Sequence, residues 1–146
     1  MSKQIGEIFT DLNKTKNNAE KIKILRANDS KILRELLRVN FDKNFQFSLP
    51  EGAPPYKKST EPVGMGYTTL LNEWKRMYLF VKDKSPDVKS LKREMLFISL
   101  LESLDSVESE ILLQIKDKKL KGITLKQVQE AYPDFMRNIN EVKTDN

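Results

Sequence analysis

Met95-Leu96-Phe97-Ile98-Ser99-Leu100-Leu101 is the stretch on which the fold turns. Only Ser99 is polar, so a helix here is apolar nearly all round and is expected among other helices rather than on the surface. Upstream, Ser85-Pro86-Asp87 offers a capping hydroxyl, a proline suited to the first helical position and an acid at the positive end of the dipole. The reading is a central helix running from there through Leu104.

Working outward, helical spacing continues on both sides. Asp105-Ser106-Val107-Glu108 caps and restarts a helix whose Val107, Ile111, Leu112 and Ile115 share a face, with Gly122 as its stop. Thr124 and Gln127 form a capping box ahead of Leu125, Val128, Ala131 and Tyr132, Pro133 marks the end, and a weak segment 135–142 leads into a polar tail, 140–146. On the other side, Leu70, Leu71, Trp74, Met77, Tyr78 and Val81 make a broad helical stripe that carries the only tryptophan inward. Near the N-terminus, Ile5, Ile8, Phe9 and Leu12 form one stripe, and Asn13 to Asn18 reads as a turn. Ala19, Ile22 and Leu25 suggest a second helix, and Asp29 or Ser30 caps a third containing Ile32, Leu33, Leu36 and Leu37.

One segment interrupts this pattern. Residues 41–66 hold Pro50, Pro54, Pro55 and Pro62 with Gly52, Gly64 and Gly66, and a connection of this length is usually functional or disordered. Its aromatics Phe41, Phe45, Phe47 and Tyr56 argue against disorder, so it is read as an ordered arm. Within it, residues 44–49 alternate polar and apolar as a short strand does, which either packs its aromatics on the helices or adds to a partner's sheet edge. Val63-Gly64-Met65-Gly66 lacks a preceding strand and a third glycine, and reads as a flexible lead-in to the Trp74 helix.

Composition narrows the chemistry. The 146 residues fit one domain, and no apolar run approaches the roughly 20 residues that cross a bilayer. The first residues lack the apolar block of a secretory signal, so the cytoplasm is the expected compartment. With no cysteine and no histidine, the chain has no thiolate, no imidazole and no disulfide. No phosphate loop or nucleophile elbow is present, and Glu108 with Glu110, or Glu102 with Asp105, read as surface charge. The expectation is no enzyme, no catalytic residue, no cofactor and no metal.

Twenty-six Lys and Arg against 21 Asp and Glu give a net charge of +5, which favours polyanions. Lys116, Lys118, Lys119 and Lys121 between two helices, with Lys126 in the following first turn, can dock on phosphates or simply complement a helix end. Lys31, Arg34 and Arg38 form a basic stripe that either follows a nucleic-acid backbone or is a solvated face.

Phe45-Gln46-Phe47-Ser48-Leu49-Pro50-Glu51-Gly52-Ala53-Pro54-Pro55-Tyr56-Lys57, Leu71-Asn72-Glu73 with Tyr78-Leu79-Phe80, Lys92-Arg93-Glu94 with Phe97-Ile98, and Lys116-Asp117-Lys118-Lys119-Leu120 through Gly122-Ile123-Thr124 to Glu130-Ala131-Tyr132-Pro133 carry a resemblance. Over roughly residues 31–135 the chain is similar to small uncharacterised proteins of large contractile-tailed, myovirus-type bacteriophages. The resemblance implies phage origin, expression in the host cytoplasm and a compact helical fold, and it implies no activity.

The expectation is therefore a single all-α domain over residues 1–146, a bundle of about six to seven helices with one long Pro/Gly-rich arm. The leading function is a non-enzymatic accessory protein that binds a host or phage protein in replication, transcription or host takeover. Its candidate partner-binding residues are Phe47, Pro50, Pro54, Pro55, Tyr56 and Lys57. The rivals are direct DNA or RNA binding through Lys116, Lys118, Lys119, Lys121 and Lys126, and a minor virion or assembly component.

Overall fold

The computed structural model describes residues 3–82 and 87–134. In chain order these form α1 (Ile5–Lys14), α2 (Asn18–Ala27), α3 (Lys31–Phe41), α4 (Leu70–Glu73), a 3-10 helix (Trp74–Leu79), α5 (Ser90–Ser103), α6 (Ser106–Lys116) and α7 (Leu125–Ala131). The all-α class holds. Extended pairing among the described residues is limited to one antiparallel bridge between Phe47 and Val81.

Local chemistry sets the starts of α3, α6 and α7 as the sequence suggests, and that of α2 through a residue the sequence reading placed in a turn. Asn17 accepts from the Glu20 amide at the head of α2, Ser30 from Leu33 at the head of α3, and Asp105 from Glu108 at the head of α6. Thr124 and Gln127 form the reciprocal box that opens α7. The stripe of Ile5, Ile8, Phe9 and Leu12 on α1 and that of Leu33, Leu36 and Leu37 on α3 are buried in one core. α2 lies along α7, where the Tyr132 hydroxyl donates to the Leu25 carbonyl and Gln127 Nε2 donates to Asn18 Oδ1.

The central helix is α6, not α5. α6 packs on α1, α3 and α5 and buries Ile111, Leu112, Leu113 and Ile115, whereas α5 buries only Phe97 and Leu101. Composition made α5 look enclosed, but its outward side carries Leu91, Met95 and Leu96 into solvent. α5 begins at Ser90. Ser85 and Pro86 of the expected start, the weak segment 135–142 and the tail 140–146 lie outside the described residues.

The expected helix over 70–81 is a single α-turn followed by a 3-10 helix. A repeat of three residues per turn aligns Trp74, Met77 and Phe80, all buried, while Tyr78, which an α-helix places one turn beyond Trp74, is 52% exposed. The chain leaves this geometry in the bridge, with Ser48 N donating to Phe80 O (2.7 Å) and Lys82 N to Gln46 O (2.6 Å). Phe45, Phe47 and Leu49 consequently pack on the helical core.

Two further expectations are corrected. α6 stops at Lys116, before Gly122, because Lys118 takes a left-handed backbone (φ 58°). The Lys118 amide then returns to Ile115 O and that of Lys119 to Gln114 O, a Schellman ending without its usual glycine. Glu108 and Asp105 are not surface charge. Glu108 is 1% exposed and accepts from the Gly6 amide (3.0 Å) and the Leu70 amide (2.9 Å), free first-turn donors of α1 and α4. Burial pushes its carboxyl above the ordinary glutamate range, against the pull of those two amides.

Candidate functional site: a cleft between residues 49–55 and helix α5

The connection from α3 to α4 is fastened to α5 and α6 mainly through charged side chains gripping its backbone. The Lys116 ammonium, buried beside Asp117 (2.6 Å), donates to Pro50 O (2.7 Å). Asp117 Oδ2 accepts from Gly52 N (3.1 Å), where a φ of 89° makes glycine the fitting residue. Farther along, Glu102 accepts from Lys57 N (2.8 Å), and the Tyr56 hydroxyl lies 3.5 Å from Ser109 Oγ. Hydrogen bonds to charged groups are worth roughly 1.5–3 kcal/mol each, enough to order a chain that has no ladder of its own.

Held this way, residues 49–55 stand off from α5 and leave a cleft of about 350 Å³. Leu49, Pro54 and Pro55 form one wall, and Leu91, Met95, Phe97 and Ile98 the other, with Glu51 and Glu94 also on the lining. Leu91 is 70% and Met95 60% exposed. Glu51 pairs with Lys119 (3.3 Å), and the Glu94 carboxylate makes no hydrogen bond or ion pair among the described residues.

The structure divides the expected partner-binding residues. Pro50, Pro54 and Pro55 line the cleft, while Phe47 and Tyr56 are half-buried against the core and Lys57 serves through its amide at the edge. The α5 wall escaped the sequence reading. A signal for it existed, since Lys92, Ser99 and Glu102 share the Met95 side of the helix and mark the outward direction.

A second apolar surface stands beside the α5–α6 junction. Gly64 (φ 88°) donates to Asp105 Oδ2 (2.8 Å), Met65 N closes a turn onto Pro62 O (2.9 Å), and Thr68 N donates to Ser103 O (3.1 Å). A Cβ on Gly66 meets the Asp105 amide nitrogen at 2.6 Å, so Gly66 serves close approach and Gly64 a left-handed turn, rather than a flexible lead-in. Val63, Met65 and Tyr67, the last 94% exposed, project from this anchored turn.

The expected basic surface is smaller than its sequence. Lys116 is buried, and Lys118 turns its ammonium onto Val39 O (2.7 Å) and Asp42 O (2.8 Å) at the end of α3, where burial lowers its pKa. Lys119, Lys121 and Lys126 remain exposed. On α3, Arg34 grips Asp29 through two bonds (2.6 and 2.7 Å) and stacks over Tyr132, and Arg38 faces Asp42.

Among the described residues no group of three potential metal ligands comes together, and no helix is long and apolar enough to cross a membrane. No curated protein and no solved structure matches the chain. A family model does match, across residues 8–122, which takes in most of α1, all of α2 to α6 and both walls of the cleft. The chain therefore belongs to DUF6433, a family of unknown function.

Proposed function

We propose that this protein is a non-enzymatic binding module that engages a host or phage protein through the cleft, and that residues 41–66 are an ordered arm whose role is to form one of its walls. The observation that carries the reading is the outward face of α5. Leu91, Met95 and Leu96 lie exposed on one helix beside a preformed cleft, and contiguous apolar surface of this kind marks interaction sites. The resemblance to proteins of contractile-tailed phages supports a setting in the infected cell, as an accessory factor in replication, transcription or host takeover.

The test is affinity capture of the tagged chain from infected cells, with and without nuclease, beside a Leu91→Ser/Met95→Ser variant. A protein partner that survives nuclease and is lost from the variant supports the module. Recovery of the same partner by both forms removes the cleft from the reading.

A second reading rests on the exposure of Lys119, Lys121 and Lys126 between α6 and α7. Three phosphate contacts give log K against log salt a slope of about −3 on duplex DNA, and neutralising all three lysines flattens it. α7 has only seven residues, so the lysines rather than a helix end carry this alternative.

A further inference from the structure

The cleft limits how a partner can dock. Strand addition needs amides and carbonyls free at alternate residues. Along one register, Pro50 and Pro54 have no N–H and the Gly52 amide is taken by Asp117. Along the other, Glu51 and Ala53 are followed by Pro55. Residues 50–55 therefore offer a strand at most the Glu51 and Ala53 amides before Pro54 and Pro55 end the run, and an occupant is held chiefly by its side chains.

The opposite wall is a helix of 14 residues, about 21 Å long, whose Leu91 and Met95 stand one turn apart. Helix against helix is the packing that such a wall accepts, with apolar side chains set into the cleft at i and i+4. The charge of the lining then selects among helices. Lys116 is spent on Pro50 O and Asp117, Glu51 is paired with Lys119, and Glu94 alone is left without a partner among the described residues. It adjoins Met95 in sequence and lies three residues from Leu91.

We infer that the occupant is a basic amphipathic helix of a partner protein, with two apolar anchors one turn apart and a Lys or Arg that meets Glu94. This rests on the cleft being the docking surface proposed above, and it adds the chemistry of what docks.

The experiment is selection from a random-peptide display library on the full chain, followed by fluorescence anisotropy of the enriched peptides. Each is titrated against the native protein, Glu94→Lys and Leu91→Ser/Met95→Ser, with circular dichroism melts confirming that both variants fold. The expected peptides pair apolar residues at i and i+4 with Lys or Arg, lose at least about tenfold in affinity against Glu94→Lys, and weaken as salt rises. Peptides that lose affinity for the serine variant but bind Glu94→Lys unchanged overturn the charge assignment and leave the cleft reading standing. Peptides indifferent to both variants, or no enrichment, overturn both. Sedimentation of the protein alone adds one more outcome, because a dimer dissolved by the serine variant gives the cleft to a second copy and overturns the inference.

Discussion

At the scale of single residues, one half-buried lysine and one buried glutamate hold separate elements together. Lys118 combines a left-handed backbone with two bonds onto the end of α3. Lys118→Gly removes both bonds but relaxes the backbone, and is expected to destabilise by about 1–2 kcal/mol, whereas Lys118→Ala keeps the strain and costs about 1 kcal/mol more. Chemical denaturation of the two variants checks this, and equal losses would mean that the backbone is not left-handed in solution. Glu108 uses both oxygens, so Glu108→Gln sets an amide group against a backbone donor and is expected to cost about 1–3 kcal/mol. The sign of its pH dependence follows from its raised pKa. The folded state holds the Glu108 proton more tightly than the unfolded chain, so the associated stability is full below the ordinary glutamate range and is lost as pH rises through the folded-state value. The stability gap between native protein and Glu108→Gln should therefore narrow from acid toward neutral pH, as paired melts across that range would show.

At the scale of elements, the 3-10 helix makes the clearest claim. Met77→Ala is expected to cost about 2–5 kcal/mol and Tyr78→Lys less than about 0.5, whereas an α-helical segment, which turns both side chains inward, makes both substitutions costly. Thermal melts of the pair decide it. The same segment shows what was legible beforehand. Caps such as Ser30, Asp105 and Thr124 bond an amide three residues away, so a short window of sequence contains the whole interaction. The helix at Trp74 was legible as helix but not as 3-10, because its pitch is settled by the distant pairing of Phe80 and Lys82 with residues 46–48. Glu108 was misread for the same reason, its two donors lying 102 and 38 residues away. Half of the cleft followed from the prolines. The α5 half did not, because an apolar run does not say which of its sides a neighbour will cover.

At the scale of the whole molecule, scaffold and cleft are separable. The core of α1, α3 and α6 makes no use of Pro54 or Pro55, so changing both to alanine should leave the melting transition within a few degrees of the native one while weakening capture of the partner. An equal loss of stability would make the segment part of the scaffold. The pairing of α2 with α7 has a consequence of another kind. Leu25 and Tyr132, which share a hydrogen bond, are 107 positions apart. On a ribosome adding about 5–20 residues per second, the face of α2 that α7 covers waits roughly 5 to 20 s for its neighbour. The nascent chain therefore carries an uncovered flank on α2 until α7 has emerged, and only then can these two helices close on each other.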